Sequence, residues 1–186
     1  MTGGIGAGKS AALAAFARHG AATASADELV HRILREDDVV LHELADRFGP
    51  VVIAPDGGAD RAAIGRIVFA DPAELRWLEQ LLHPRVIQAQ TAWREEVAAR
   101  PDPPHVLVTE VPLLYETGGD ERFDVVVVIT ASPEVRAARR PLGDDREDRL
   151  LPEEEKVRRA DYAYVNDGTL EELDAFVADV MRRLSG

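Results

Sequence analysis

The amino-acid sequence predicts an α/β protein, a three-layer sandwich in which a parallel β-sheet lies between layers of helices. Three observations support this prediction. A glycine-rich segment, residues 3–10, passes directly into an alanine-rich helical pattern over residues 9–18. A nearly continuous β-branched run, residues 125–129, is typical of a central parallel strand that is buried on both faces. Strand-like and helix-like segments alternate around these two features, as they do in parallel α/β folds.

The glycine-rich segment reads G-x-x-x-x-G-K-S, the phosphate-binding loop of the P-loop nucleotide enzymes. Its glycines let the backbone turn sharply and bring several N–H groups onto one anion. Lys9 can then contact the β- and γ-phosphates of a nucleotide, and the Ser10 hydroxyl can bind Mg²⁺. A chance match in a chain of this length is expected only roughly once in a hundred. The predicted nucleotide-binding residues are Gly4, Ile5, Gly6, Ala7, Gly8, Lys9, Ser10 and Ala11.

A phosphate loop normally follows a buried β-strand, yet only Met1 and Thr2 precede Gly3. We expect either that the first strand is missing from this chain or that the native start codon lies upstream of Met1. A chain extended by several apolar residues before Met1 is therefore expected to melt at a higher temperature. Equal melting temperatures of the two chains would contradict this expectation.

The composition excludes several classes of protein. The 186 residues suffice for one α/β domain with an insertion, and 46% hydrophobic with 30% charged residues is typical of globular proteins. The formal net charge of −12 argues against a nucleic-acid partner. The sequence has no cysteine, which excludes disulfides and fits a reducing compartment. The longest apolar run is far too short to span a membrane. Because the glycine-rich motif already starts at residue 3, we expect no targeting segment before it and a cytoplasmic protein; its oligomeric state stays open.

Asp27 follows a short alanine-rich segment, residues 21–25, that we predict to be a strand. In an open α/β sheet, a carboxylate at the carboxyl end of a strand lies where ligands bind. Asp27 equally suits the N-cap of the helix predicted by the apolar residues Leu29, Val30, Ile33 and Leu34. The residues alone leave both roles open.

Residues 28–100 have mostly helical patterns and form a predicted insertion between the core segments 1–27 and 101–186. A crossover between parallel strands needs only about a dozen residues or slightly more. Because this segment is several times longer, we interpret it as an insertion that covers an acceptor substrate.

Two signals divide the second half of the insertion. Asp71 followed by Pro72 predicts the start of a helix, with a capping carboxylate and a proline in the first position. His83 and Pro84 predict the end of that helix, because proline cannot donate the next backbone hydrogen bond. A further helix is then expected to run to Arg100.

Residues 105–109 predict a strand that ends at Glu110. An apolar strand closing on an acid is similar to a Walker B strand, whose carboxylate holds Mg²⁺ directly or through water. A solvated acid at the end of a strand is the alternative. The apolar segment that follows, residues 111–116, is a candidate wall of a pocket.

The C-terminal part of the chain predicts a lid and two closing elements. Ser132 and Pro133 start a helix that carries Arg136, Arg139 and Arg140. The polar segment 140–155 is a candidate lid whose arginines would bind the transferring phosphate, although a solvated charged loop is at least as well favoured. Residues 162–165 predict the last strand, and Thr169 with Glu172 predicts a capping box for the closing helix.

Several separate stretches together resemble the dephospho-coenzyme A kinase family, from near Met1 to the closing helix. They are the loop with its leading Thr2, Ala26-Asp27, segments 67–72, 81–84 and 111–116, and the residues Lys156, Ala160, Asp161, Asn166 and Gly168. The resemblance implies transfer of the ATP γ-phosphate, with Mg²⁺, to the ribose 3′-hydroxyl of dephospho-coenzyme A, the last step of coenzyme A synthesis. It also implies a P-loop core, a helical substrate-binding insertion and a short lid.

The resemblance assigns roles to individual residues as well. Asp27 takes the place of the catalytic aspartate, Lys9 and Arg139 are the other implied catalytic residues, and Arg139 is the lid arginine. Asn166 is expected near the adenine of ATP, and Ser10 and Glu110 are the expected contacts of Mg²⁺.

The sequence departs from the family pattern at several positions. Ser25 stands where the family has its first aspartate, and Glu110 replaces the usual aspartate with a side chain one methylene longer. Ala11 replaces a common threonine, Val165 replaces an aspartate, and the lid is several residues short.

Two other functions compete with the kinase. A GTPase-like switch or regulatory ATPase is one of them, but the switch requires a guanine-reading N-K-x-D stretch that the sequence does not contain. The other is a P-loop nucleotide-binding protein without acceptor kinase activity, which would bind ATP and show no acceptor-dependent turnover.

Overall fold

The computed structural model describes residues 1–139 and 151–186, which form two compact units. One unit comprises Met1–Ser25 and Val97–Gly186 and is called the sheet unit below, because it contains the described strands. The other, Ala26–Glu96, is called the helical unit. The acceptor-covering role of residues 28–100 stays a prediction.

The strands are short and parallel, as the sequence predicts. They are β1 (Ala22–Ser25), β2 (Leu107–Glu110), β3 (Val127–Thr130) and β4 (Tyr162–Val165). β1 pairs with β2, so that Ser25 lies opposite Glu110, and β3 pairs with β4. All four residues of β3 are buried, as expected for a strand with a nearly continuous apolar sequence.

Met1 and Thr2 lie between the two strand pairs and connect them. Four hydrogen bonds of 2.8–3.0 Å make this connection: Met1 N to Thr109 O, Val111 N to Met1 O, Thr2 N to Val127 O and Ile129 N to Thr2 O. Both residues are buried. The loop that begins at Gly3 therefore leaves the sheet between β2 and β3.

The helices of the described residues are α1 (Lys9–Arg18), α2 (Ala26–Glu36), α3 (Asp38–Phe48), α4 (Arg61–Val68), α5 (Pro72–Ala98), α6 (Pro133–Arg139), α7 (Glu153–Arg159) and α8 (Leu170–Leu184). Short 3-10 helices form at Pro50–Val52 and Asp120–Arg122. The predicted capping box at Thr169 and Glu172 is confirmed at the start of α8. No helix in this described part of the chain is long and apolar enough to cross a membrane.

Each unit has its own apolar core. In the sheet unit, Phe16 of α1 and Val177 of α8 are fully buried with Ile129 of β3. In the helical unit, Val40 and Leu44 of α3 are fully buried among side chains of α2, α4 and α5.

The predicted helix break at His83 and Pro84 is wrong, because α5 continues through Pro84 to Ala98. Proline removes the N–H that would donate to the Gln80 carbonyl, and the Arg85 guanidinium donates to the next carbonyl along the helix, that of Leu81, at 3.1 Å. Leu82 is buried in the core of the helical unit, next to the proline. Packing on both sides of Pro84 thus outweighs the local preference to end the helix.

Candidate functional site

The predicted phosphate loop connects the Met1–Thr2 segment to α1. Gly3 and Gly8 have φ angles of 150° and 93°, which residues other than glycine rarely adopt. A Cβ atom would lie 1.8 Å from the Ile129 carbonyl oxygen at Gly3 and 2.2 Å from the Asn166 amide nitrogen at Gly8. The loop therefore requires glycine at both positions, for conformation and for close approach.

The Lys9 ammonium and the N-terminus of α1 place positive charge at the end of the loop. The Lys9 ammonium donates a hydrogen bond to the Gly4 carbonyl at 2.9 Å, so it lies over the loop. Gly8 occupies the N-cap of α1 and no side chain caps the helix there. Ser10, in the first turn, is exposed. Backbone N–H groups at a helix start, together with an ammonium group, are suited to binding phosphate.

Asn166 and Arg139 lie against the same loop. The Asn166 side-chain amide donates to the Ala7 carbonyl at 2.9 Å, and the Asn166 side chain is buried. Arg139 donates to the Asn166 backbone carbonyl at 3.0 Å. The structure thus brings both residues to the nucleotide loop, while the adenine contact predicted for Asn166 stays a prediction. Of the predicted lid 140–155, residues 140–150 lie outside the described residues.

Sequence reasoning missed two residues that pack on the loop, Arg136 and Glu153. A Cβ atom at Gly4 would lie 2.7 Å from the Glu153 Oε1 atom and 3.1 Å from the Arg136 Nη1 atom. One at Gly6 would lie 2.7 Å from the Arg136 carbonyl oxygen. A weak sequence signal existed, because Arg136 and Arg139 are three residues apart and share a face of α6.

Glu110 lies at the carboxyl end of β2 and is only 7% exposed. The Ser25 hydroxyl donates to its Oε2 atom at 2.9 Å. Burial lowers the pKa of the nearby Met1 amine to about 5, an effect that the Glu110 carboxylate opposes.

The groups predicted to contact Mg²⁺ supply oxygen atoms only, the Glu110 carboxylate and the Ser10 hydroxyl, which is the chemistry that Mg²⁺ prefers. Within residues 1–139 and 151–186, no cluster of three or more acidic, histidine or cysteine side chains is arranged to hold a metal. Mg²⁺ at phosphate-transfer sites usually takes one or two carboxylates, with substrate phosphates and water as the other ligands. Glu110 and Ser10 therefore fit the ion.

Asp27 lies in the first turn of α2, in the helical unit, and is exposed. The helix begins at Ala26, directly after β1 ends, so Asp27 is inside the helix rather than at its N-cap. Among the described residues, no backbone N–H donates to its carboxylate, which disfavours the capping role.

An open cavity lies within the helical unit and is lined by side chains of α2 and α4 and by the segment around Asp56. Its basic residues are His31, Arg32, Arg35 and Arg61. Arg35 pairs with Glu36, and Glu28 and Asp56 also line the cavity. Arg32 and Arg61 form no ion pair with another described residue.

The predicted pocket wall, residues 111–116, contributes Leu114 and Tyr115 to a buried cluster with Val126 and Val128. Burial raises the pKa of the Tyr115 hydroxyl. This segment ends in Glu116, whose Oε1 atom accepts the Leu151 N–H at 2.9 Å and lies 2.9 Å from the Lys156 ammonium. Glu116 thus contacts both ends of the segment that runs from Leu151 to Lys156.

Replacing Glu116 with Gln is expected to lower the free energy of unfolding by about 3–5 kcal/mol. The Lys156 side chain is fully buried, so the substitution leaves an uncompensated charge inside the protein. Urea unfolding followed by circular dichroism measures the change. The control is Asp179→Asn, which removes a solvent-exposed carboxylate beside Arg182 and Arg183 and is expected to cost about 1 kcal/mol. Equal losses in the two variants would contradict a structural role of the buried pair.

The dephospho-CoA kinase family model matches residues 1–172. A dephospho-CoA kinase of Symbiobacterium thermophilum is 37% identical, with 100% of this chain and 80% of that protein covered. A dephospho-CoA kinase of Leifsonia xyli is 39% identical, with 92% and 90% covered. A solved structure from Thermus thermophilus has a TM-score of 0.76 at 34% identity, and covers 100% of this chain and 96% of its own. A dephospho-CoA kinase structure from Campylobacter jejuni, at 24% identity and a TM-score of 0.73, has the same fold; it covers 99% of this chain and 94% of its own.

Proposed function

The chain belongs to the dephospho-CoA kinase family, and from that premise we propose which residues bind the substrates and which take part in the reaction. The enzyme transfers the γ-phosphoryl group of ATP to the ribose 3′-hydroxyl of dephospho-CoA and so completes coenzyme A. The observation that carries this function is the match of the family model over residues 1–172, which includes the glycine loop with Lys9 over it.

The sheet unit binds ATP. Backbone N–H groups of the loop and of the first turn of α1 hold the phosphates, and Lys9 compensates charge on the β- and γ-phosphates. Asn166 supports this site because its amide fixes the Ala7 carbonyl within the loop. The nucleotide-binding set is Gly4, Ile5, Gly6, Ala7, Gly8, Lys9, Ser10, Ala11 and Asn166.

Ser10 and Glu110 hold Mg²⁺, the first through its hydroxyl and the second directly or through water. When bound, the ion neutralises charge that develops on the phosphate oxygens. Glu110 is suited to this role because it ends β2 with its carboxylate nearly buried and its orientation fixed by Ser25.

Asp27 is the general base. The acceptor 3′-oxygen attacks the γ-phosphorus, the bond to the β–γ bridging oxygen breaks, and the hydroxyl proton passes to the Asp27 carboxylate as ADP forms. The exposed position of Asp27, without an N–H donor among the described residues, leaves its oxygens available for this proton. Arg139 donates a hydrogen bond to the backbone of Asn166, which itself contacts the loop. Its guanidinium stabilises negative charge on the transferring phosphoryl group.

The arginine-lined cavity of the helical unit holds the diphosphate of dephospho-CoA. Arg32 lies on α2, the helix that also carries Asp27, and it lines this cavity. Arg61 contributes a second guanidinium to the same cavity, and guanidinium groups bind phosphate oxygens in a bidentate manner.

Replacing Arg61 with Ala is expected to raise the KM for dephospho-CoA about tenfold or more, because a charge-assisted hydrogen bond contributes about 1.5–3 kcal/mol. The KM for ATP is expected to stay the same. Arg66→Ala, on the same helix but outside the cavity lining, is the matched control. Steady-state kinetics with each substrate varied checks the result, and parallel changes in both KM values would contradict the assignment.

The function is tested by ADP release with and without dephospho-CoA. The kinase requires ADP release that depends on the acceptor and a product phosphorylated at the 3′ position. A nucleotide-binding protein without kinase activity would bind ATP and release no more ADP when the acceptor is added. The cytoplasm, which supplies ATP, is the proposed location, and dephospho-CoA rather than nucleic acid is the proposed partner, in keeping with the net charge of −12.

A further inference from the structure

Ser25 and Glu110 lie directly opposite each other in the parallel pair of β1 and β2. Both end their strands, and they are 9% and 7% exposed. The Ser25 hydroxyl donates to the Glu110 Oε2 atom at 2.9 Å. The two residues thus form one hydrogen-bonded pair at the carboxyl ends of their strands, where ligands bind in α/β proteins.

The chemistry of the pair explains why these residue types occur together. A carboxylate at position 25 would face the Glu110 carboxylate across the strand pair, and like charges in direct contact repel. A hydroxyl instead supplies a donor. Glutamate also has one more rotatable bond than aspartate, so its carboxylate needs a restraint to hold one orientation.

We propose that Ser25 is a positioning residue, which holds the Glu110 carboxylate in one orientation for the divalent cation that accompanies ATP. Its hydrogen bond fixes Oε2 and thereby orders the whole carboxylate before the cation binds. The proposal rests on the role of Glu110 in the proposed function. It assigns to Ser25 no contact with either substrate.

The test uses Mn²⁺ as the probe, because its electron paramagnetic resonance signal reports binding without turnover. Mn²⁺ is titrated into the full chain saturated with a non-hydrolysable ATP analogue. Ser25→Ala is expected to raise the Mn²⁺ dissociation constant about three- to tenfold, the range of one ordinary hydrogen bond. Binding of the analogue in the presence of a chelator is expected to stay unchanged, which separates cation binding from nucleotide binding.

Thr23→Ala is the matched control. Thr23 lies two residues earlier on β1 and therefore on the same face of the strand, and it is opposite Val108 rather than an acid. This variant loses a hydroxyl from the same strand and is expected to bind Mn²⁺ as the unmodified chain does. If Ser25→Ala melts too low for titration, Ser25→Cys retains the volume with a weaker donor, and a smaller loss in the same direction is expected.

A double-mutant cycle decides whether Ser25 acts through Glu110. In a Glu110→Gln background, Ser25→Ala is expected to cause no further loss of Mn²⁺ affinity. An equal loss in both backgrounds, an unchanged dissociation constant for folded Ser25→Ala, or an unchanged constant for Glu110→Gln alone would each overturn the proposal. Acceptor-dependent ADP release by the unmodified chain tests the enzyme's function separately, so the two failures are distinguishable.

Discussion

A chain in which Lys9 is replaced by Ala is expected to lose turnover by about 10³-fold or more and to bind ATP more weakly. The Lys9 ammonium already lies over the phosphate loop, 2.9 Å from the Gly4 carbonyl. Its removal leaves charge that develops on the transferring phosphoryl group without this compensation. Calorimetric ATP binding and acceptor-dependent ADP release measure the two effects.

Arg18→Ala provides the control for Lys9. Arg18 lies at the other end of α1 and forms an exposed ion pair with Asp174. Its loss removes the same formal charge from the same helix, and an exposed pair contributes only about 0–1 kcal/mol. We expect full activity in this variant. Unchanged activity in Lys9→Ala would instead remove the phosphate-loop assignment.

Asp27→Asn is expected to lower kcat by ~10²–10⁴-fold, or about 3–5 kcal/mol of barrier, with nearly unchanged ATP affinity. The substitution preserves the shape of the side chain and removes the charge that accepts the hydroxyl proton. ATP affinity is retained because the loop and Lys9 carry it. Steady-state kinetics and a melting curve measure the variant.

The capping role predicts a different outcome for the same variant. Asn caps a helix about as well as Asp, so a cap alone would leave rate and stability unchanged. Asp38→Asn is the matched control, because Asp38 lies in the first turn of α3 in the same unit and is also exposed. A wild-type kcat in Asp27→Asn would end the general-base assignment.

The elements predicted most successfully from the sequence are those that local patterns determine. The β-branched run of residues 125–129 predicts a buried parallel strand, and β3 is one. The Thr169 and Glu172 pattern predicts a cap that depends on residues three apart, and the capping box forms. The capping box depends only on neighbours in the chain, whereas the apolar run reveals its burial because a strand covered on both faces needs apolar residues at every position.

Features that depend on distant contacts were not predictable in the same way. Pro84 stays inside α5 because the helical unit packs around it, which no local rule reveals. Arg136 and Glu153 reach the phosphate loop, and Lys156 reaches Glu116, across long stretches of sequence. In the candidate site, the motif therefore identifies the loop and Lys9, whereas the side chains that surround the loop become visible only in the structure.

The hydrogen bond from Asn166 to the Ala7 carbonyl joins residues 159 positions apart. Closing so long a stretch costs conformational entropy before any contact offsets it, and such contacts form late in folding. Because Asn166 follows the helical unit in the chain, this restraint on the glycine loop can form only after the whole of that unit, residues 26–96, has been synthesised.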